Sequence, residues 1–284
     1  MICERGFSTN TKRKIETRKR KMIANPTNPA AFLKENGYVY LRKTEIPDAM
    51  LSRAAEIVER DVLELQKEKL DFHQEQPIDL LSKETTEVMT QIKDWVLKHI
   101  IHPTFTRDAD VPQTWSTQQT MYGRVKKRNE FTRPHCDAYN TVVKRKLTEY
   151  DSTKCFVADD LPIYTVWIPL KDTTPKSSVL RVQPRTHVLP NIEFQDEFIG
   201  VVPRHYKPLS KHFVRPKSPY LAGDIVIFHC LTQHDATPHR ARKGHRVSMD
   251  SRMKMNPNEL ISDDHGNRKP VKRRRLETSE RTDS

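Results

Sequence analysis

Residues 223–253 read GDIVIFHCLTQHDATPHRARKGHRVSMDSRM and contain two of the runs that decide the fold. The first run, 224–230, follows the turn residue Gly223 and is rich in β-branched and aromatic side chains, as buried strands are. The second run, 246–253, is the last predicted strand before the apolar pattern ends at Met255. This end of the chain is therefore predicted to be β-structure.

The preceding sequence is helical first and then rich in strands. A short helix over 30–36 is expected to stop at Gly37, and a long helix is expected to start at Ile46-Pro47-Asp48. A second amphipathic helix is predicted over 84–99. The other predicted strands are 38–41, 116–122, 164–170 and 179–182. The stretch 191–219 has so many Pro, His and Lys residues that we expect a long surface excursion there.

Most of the positive charge lies at the two ends of the chain. The net charge is +13, of which residues 1–22 contribute 8 − 2 = +6 and residues 267–284 contribute 7 − 3 = +4. The remainder holds only 13 − 10 = +3. We therefore predict a disordered basic arm over 1–24, a single domain over 25–258 and a disordered basic tail over 259–284. Nucleic-acid binding through the ends is conceivable but not favoured.

The sequence also constrains the compartment. The four cysteines form no CxxC pair, so neither a disulfide framework nor a structural zinc site is indicated. No apolar run approaches the roughly 18 residues that span a bilayer. We expect an intracellular protein, cytoplasmic or nuclear, without a membrane partner. The tail sequence Lys272-Arg273-Arg274-Arg275 fits a nuclear localisation signal and a solvated charge run equally well.

The tripeptide His135-Cys136-Asp137 carries the first chemical signal. In an extended strand His135 and Asp137 point to the same face. A distant histidine, His234, would complete two histidines and one carboxylate, the ligand set typical of non-haem Fe(II) oxygenases. An isolated His-X-Asp motif is more often a pair that binds no metal, so the signal lies in the combination.

The second signal lies twelve residues after His234, in Arg246-Val247-Ser248. In a strand Arg246 and Ser248 share a face, so a guanidinium and a hydroxyl can bind one carboxylate together. Such a site meets the needs of 2-oxoglutarate, whose keto acid end chelates iron while its far carboxylate needs a counter-ion. The sequence thus predicts Fe(II) and 2-oxoglutarate as cofactors and O2 as a reactant.

Four stretches resemble the phytanoyl-CoA dioxygenase family and together span roughly residues 30 to 253. They are AFLKENGYVYLRKTEIPDAML (31–51), PHCDAYN (134–140), TVWIPLKDTTPKSSVLRVQPRTH (165–187) and GDIVIFHCLTQHDATPHRARKGHRVSM (223–249). The resemblance implies an α+β, mainly β fold: a double-stranded β-helix (jelly roll, cupin-like) with N-terminal flanking helices. It also implies hydroxylation of a small organic substrate.

The resemblance can be carried over position by position. It gives the metal ligands as His135, Asp137 and His234. It gives the co-substrate residues as Arg246, Trp167 and Gln118, with Met121 beside Gln118 on the same strand, and the strand argument above adds Ser248. The sequence departs from the family pattern at Ala236, where a hydroxyl is usual, and Ser248 could substitute for it. No catalytic residue beyond the metal site is predicted, and His187, His229 and His239 are interpreted as structural.

The predicted activity is that of an Fe(II)- and 2-oxoglutarate-dependent dioxygenase that hydroxylates a small molecule and releases succinate and CO2. Because Asp137 is present, the metal lacks the vacancy that related halogenases fill with chloride. Two alternatives stay open. The first is an oxygenase that acts on nucleic acid or protein, and the second is a catalytically silent jelly-roll binding module.

Overall fold

The computed structural model describes most of the predicted domain. Its described residues are 26–42, 44–67, 75–77, 81–105, 114–137, 163–174, 176–188, 194–195, 202–203, 213–216 and 219–256. The predicted arm over 1–24 and tail over 259–284 lie outside these residues, so their disorder stays a prediction.

The first helix, α1 (Pro29–Asn36), begins and ends as its sequence predicts. The side chain of Asn28 accepts a hydrogen bond from the Ala31 amide at 2.8 Å and so caps the amino end. Gly37 ends the helix with φ +78°, a conformation that favours glycine. A Cβ atom at this position would also clash with the imidazole of His187. The turn therefore requires glycine both for its backbone and for its close packing.

The other helices cover one side of the domain. They are α2 (Asp48–Lys67), α3 (Lys83–Val96), a π-helical turn (Leu97–Ile101) and α4 (His102–Phe105). The predicted helix over 84–99 is confirmed, but helical backbone continues beyond it to residue 105. The apolar faces of α2 and α3 bury residues such as Val58 and Ile92 against the sheet.

Six antiparallel strands form the major sheet in the order β1-β9-β5-β11-β3-β2. Their bounds are β1 Tyr38–Leu41, β2 Glu75–Pro77, β3 Thr114–Lys126, β5 Ile163–Pro169, β9 Ile225–His229 and β11 Arg246–Asn256. One face packs on the helices through residues such as Val166, Ile227 and Val247. Because side chains alternate along a strand, Trp167, Phe228 and the even-numbered residues of β11 from 246 to 252 lie on the opposite, inner face.

A three-stranded sheet forms the second wall, in the order β4-β10-β6. Its strands are β4 Thr132–His135, β6 Leu180–Val182 and β10 His234–Ala236. A short 3-10 helix, Thr186–Val188, follows β6, and β7 (Phe194–Gln195) pairs with β8 (Val202–Pro203). The two main sheets enclose a second apolar core that includes Tyr38, Tyr220 and Phe228. This mainly β, cupin-like arrangement with helices in front confirms the predicted fold class.

The structure corrects the sequence-based predictions in two places. The metal-site tripeptide was predicted to lie in one extended strand, but β4 ends at His135 and Asp137 lies in the following turn. The reason is that β10 begins at His234, opposite His135, so no strand continues the ladder further. The stretch 191–219 is described only in part, and there Val214 bridges to Val182 of β6 instead of only crossing the surface.

Candidate metal and co-substrate site

Three side chains predicted as metal ligands meet between the sheets. His135 closes β4 and His234 opens β10, and the two residues are directly opposite in the antiparallel register. The Oδ1 atom of Asp137 lies 3.8 Å from Nε2 of His135 and 3.7 Å from Nε2 of His234. All three side chains are buried, and their ligand atoms lie within 4.8 Å of one another. A metal ion with bonds of about 2.0–2.2 Å fits between atoms at these separations.

The backbone orients both imidazole rings for metal binding. Nδ1 of His135 lies 2.8 Å from the carbonyl oxygen of Arg133, and Nδ1 of His234 lies 3.1 Å from that of Thr232. A carbonyl only accepts hydrogen bonds, so each Nδ1 carries the proton. Each Nε2 therefore turns an unprotonated lone pair toward the carboxylate, as a metal-ligating histidine does.

Two other side chains fix the carboxylate of Asp137. Its Oδ2 accepts a hydrogen bond from the Thr165 hydroxyl at 2.6 Å and lies 3.2 Å from the guanidinium of Arg252. Oδ2 is thus held by the protein, while Oδ1 faces the two histidines. The arrangement presents one carboxylate oxygen to a metal.

The electrostatics of the site favour the protonation states that a metal needs. Burial, together with the nearby His234, lowers the pKa of His135 to about 3, and burial also lowers the pKa of His234. Burial alone would raise the pKa of Asp137, but Arg252 and then the two histidines bring it well below its ordinary value. Two neutral imidazoles and one carboxylate are therefore present at neutral pH, ready for a divalent cation.

A series of buried ion pairs on β3 and β11 holds the carboxylate of Asp137. Asp250 pairs with Arg124 and accepts a hydrogen bond from Arg252 at 2.6 Å, so Arg252 bridges the carboxylates of Asp250 and Asp137. Sequence reasoning missed this series. The signal that could have found it is alternation, because Asp250 and Arg252 continue the inward-facing series that Arg246 begins on β11.

The predicted co-substrate residues lie in the same cavity as the triad. Arg246, Trp167 and the three triad residues all line it. Arg246 is buried, and its guanidinium carbon lies 5.6 Å from the centre of the Trp167 ring. Burial, and next the charge of Arg124, lowers the pKa of Arg246 to about 9, so the group is still cationic at neutral pH.

Three buried polar atoms near this arginine have no hydrogen-bond partner among the described residues. They are Nε of Arg246, Oγ of Ser248 and Nε1 of Trp167. Unsatisfied buried donors cost stability, so such atoms indicate a missing ligand. All three can donate to oxygen, and one of them belongs to a cation. The donor set fits a carboxylate such as the far end of 2-oxoglutarate.

Lys126 is a further buried basic side chain that sequence reasoning did not identify. It lies opposite Arg246 in the β3–β11 register, and its ammonium group is 3.4 Å from the carbonyl of Phe131. Burial, then the charges of Arg246 and Arg124, lowers its pKa to about 6. The end of the barrel near Arg246 therefore gathers basic groups so closely that Lys126 is mostly neutral at pH 7.

We expect the substitution Lys126→Met to raise the free energy of unfolding by about 1–4 kcal/mol at pH 7. The unfolded chain keeps the ordinary lysine pKa near 10.5, so between pH 6 and 10.5 it binds a proton that the folded chain lacks. The burial penalty therefore fades as the pH rises, and the gain should shrink toward pH 10. Urea unfolding at both pH values, with Lys127→Met as control, measures this. A variant less stable than wild type at pH 7 would contradict it.

The remaining predicted residues have mixed outcomes. Gln118 lies on β3, but its side chain is outside the described residues, so its role stays a prediction. Met121 packs in the apolar core against the helices and does not line the cavity, which corrects its suggested co-substrate contact. The histidines interpreted as structural have partners that fit this role: His187 contacts the Lys34 carbonyl, His229 accepts from the Leu231 amide, and His239 accepts from the Ser178 amide.

The sequence matches a known protein family over most of its length. The model of the family described as Phytanoyl-CoA dioxygenase (PhyH) matches residues 33–247. The chain belongs to this family. The family membership and the His-Asp-His arrangement together confirm the prediction of Fe(II) and 2-oxoglutarate as cofactors of this phytanoyl-CoA dioxygenase family member. A search of curated proteins gives no significant sequence match.

Solved structures share the fold at low sequence identity. The carbocyclase SnoK from nogalamycin biosynthesis is 18% identical, with a TM-score of 0.51 over 87% of this chain and 93% of that one. EctD from S. alaskensis, with 2-oxoglutarate and 5-hydroxyectoine, is 14% identical, with a TM-score of 0.52 over 81% and 76%. The epimerase SnoN, in complex with Fe3+, alpha ketoglutarate and nogalamycin RO, is 15% identical, with a TM-score of 0.50 over 90% and 94%. At these identities the likeness concerns the fold.

Among the residues that the structure describes, no helix combines the length and apolar character needed to cross a bilayer.

Proposed function

We propose that this family member is an Fe(II)- and 2-oxoglutarate-dependent dioxygenase that hydroxylates a small organic substrate and releases succinate and CO2. One observation carries the proposal. A single buried cavity contains both the His135–Asp137–His234 triad and a cation, Arg246, that forms no ion pair with any described carboxylate. A metal-binding end and a carboxylate-binding end in one cavity suit a keto acid that chelates iron.

The proposal assigns a role to each side chain in the cavity. His135, Asp137 and His234 bind the metal on one side and leave its other side open. Arg246 and Ser248 bind the distal carboxylate through charge-assisted hydrogen bonds. Bound iron and 2-oxoglutarate would together supply the activation of O2 and the oxidative decarboxylation.

The protein's own contribution is to orient and isolate the reacting groups. Thr165 and Arg252 keep Asp137 ionised and aimed at the metal. The ring centres of Trp167 and Tyr220 lie 5.0 Å apart, so the wall beside Arg246 is aromatic. Burial of Arg246 strengthens its pairing with a carboxylate, because electrostatic attraction grows as the dielectric constant falls.

Hydroxylation of a small molecule has support from similar structures. EctD contains 5-hydroxyectoine and SnoN contains nogalamycin RO, both small organic compounds. The same set includes an epimerase and a carbocyclase. Removal of a hydrogen atom without oxygen transfer is therefore the main competing outcome on this fold.

A turnover experiment under labelled O2 tests the proposal. The full-length protein, loaded with Fe(II) and 2-oxoglutarate, is incubated with pools of small organic compounds under 18O2, and succinate and products are followed by mass spectrometry. We expect succinate in step with a product that carries one labelled oxygen atom. A product without added oxygen would overturn the hydroxylase assignment. Failure to bind 2-oxoglutarate at all would favour the binding-module alternative.

A further inference from the structure

A second cavity lies outside the iron site and is lined mainly by cations. Its volume is about 500 Å³. We call it the basic pocket. It is lined by the cationic side chains of Arg128, Lys176, Arg215, Arg240 and Arg242. No acidic residue and no aromatic residue belongs to the described part of its lining.

The basic pocket neighbours the iron cavity but shares no lining residue with it. His234 faces His135 at one end of the three-stranded sheet, whereas Ala236 pairs with Leu180 and Thr132 at the other. Thr237, which lines the basic pocket, follows directly after Ala236. Three residues of extended chain separate Thr237 from His234, a span of about 10 Å.

The five cations have no ion-pair partner among the described residues. Other arginines of the same domain do: Arg181 pairs with Asp235, Arg42 with Asp224 and Arg124 with Asp250. Like charges gathered around one concave surface repel one another, and a bound anion would relieve this repulsion more fully than mobile salt ions do. The five cations are available to an anionic ligand, because no described carboxylate of the protein pairs with them.

Hydrogen bonds between loops hold the walls of the basic pocket in place. The Arg240 amide donates to the Lys176 carbonyl at 2.7 Å, and the Thr237 amide donates to Val179 at 3.0 Å. His239, between them, accepts from the Ser178 amide, and its carbonyl accepts from the Asn129 amide at 2.7 Å. Since three chain segments are tied together, the cations are presented on a connected frame, which reduces the ordering cost of binding.

We propose that the basic pocket binds a small organic molecule carrying two or more phosphate groups, at a site separate from the iron cavity. Each phosphate group carries about −1.5 to −2 charges at neutral pH, so two groups approach the charge of five cations. Four of the five are arginines, whose planar forks bind phosphate oxygens in pairs. The hydroxyl of Thr237 accepts from the Val179 amide and keeps its own proton for an anion.

The dimensions of the basic pocket favour a small ligand over a nucleic acid. Ligand pockets typically measure about 300–1,000 Å³, a range that includes this one. Proteins that bind single-stranded nucleic acid combine a long basic groove with aromatic stacking platforms. The described lining has no such platform.

Calorimetric titration of the full-length protein with inorganic pyrophosphate, at about physiological ionic strength, tests this site. The double variant Arg240→Ala/Arg242→Ala should bind pyrophosphate at least about tenfold more weakly than wild type, because two charge-assisted contacts are removed. Both side chains are exposed, so we expect the fold to be kept. The variant Lys98→Ala/Lys243→Ala removes the same charge from exposed positions outside the pocket and should bind like wild type.

Two further measurements distinguish a phosphate site from the 2-oxoglutarate site and from a nucleic-acid site. Arg246→Ala should leave pyrophosphate binding unchanged, so loss of 2-oxoglutarate binding and loss of phosphate binding are independent results. Any binding of a single-stranded oligonucleotide should be equal in all variants. Equal pyrophosphate binding by both double variants, or none by wild type, would overturn the proposal. Selective loss of oligonucleotide binding in Arg240→Ala/Arg242→Ala, with pyrophosphate binding unchanged, would overturn it in favour of nucleic acid.

Discussion

Replacing His135 or His234 with alanine is expected to abolish iron binding and succinate formation. Each substitution removes one of the three protein ligands and leaves the two others too few to hold a divalent cation. Loss of a residue that merely supports a ligand typically costs 10–100-fold in affinity. Loss of a ligand should therefore lower metal affinity by at least about 100-fold. Anaerobic titration with Fe(II) or Mn(II), with succinate measured in parallel, gives both readouts.

The control for these variants is another histidine. His99 is exposed on the π-helical turn and far in sequence from the triad, so His99→Ala should bind metal like wild type. Circular dichroism should be unchanged in all three variants, because β4 and β10 are held by backbone pairing. Continued turnover of 2-oxoglutarate by the variant lacking both His135 and His234 would show that the triad is wrongly assigned.

The second large effect is expected from Arg246→Ala. The substitution removes a charge-assisted, bidentate interaction, so the affinity for 2-oxoglutarate should fall by about 1.5–3 kcal/mol or more. Metal affinity should hardly change, because Arg246 does not contact the triad in any described interaction. Calorimetric titration of the Mn(II)-loaded protein with 2-oxoglutarate measures the loss.

Arg246→Lys provides the matched control for this experiment. It keeps the charge but loses the planar fork, so its affinity should lie between those of wild type and alanine. Arg242 and Arg252 are the other arginines that could take over the role. Arg242 lines the basic pocket, and Arg252 is already bound between Asp137 and Asp250. An unchanged affinity in Arg246→Ala would show that the co-substrate binds elsewhere.

Much of the fold could be predicted from short apolar runs. Strands β5, β9 and β11 were found because buried strands carry β-branched and aromatic residues, and their ends moved by only one to a few residues. Strand β10 was missed because its sequence, His-Asp-Ala, has no strand propensity. Its conformation is set by pairing with β4 and β6 on either side, which is tertiary information.

The sequence predicted those residues of the candidate site that lie on one strand or in a motif of the resembling family. The three predicted metal ligands lie in short sequence motifs, so their positions could be read directly. The bridge from Arg124 through Asp250 to Arg252 joins strands 126 residues apart, and no local pattern identifies such a pair. The position of Lys126 opposite Arg246 likewise depends on the pairing of β3 with β11, which no local pattern shows.

The distribution of charge over the folded part could not be predicted from the sequence. The net charge between the two basic ends is only +3. In the structure, carboxylates pair within the barrel and on the helices, while three loops bring four arginines and a fourth loop brings Lys176 to the basic pocket. A sum over sequence cannot show this, because clustering depends on how loops meet in space.

Anomalous X-ray scattering at the iron edge, from crystals of the full-length protein grown anaerobically with Fe(II) and 2-oxoglutarate, would locate the metal relative to the three predicted ligands. We predict one strong peak about 2.0–2.2 Å from Nε2 of His135, Nε2 of His234 and Oδ1 of Asp137. The far carboxylate of 2-oxoglutarate should lie within hydrogen-bonding distance of Arg246. An iron peak elsewhere, or none with the triad in place, would contradict the assignment of this cavity as the oxygenase site.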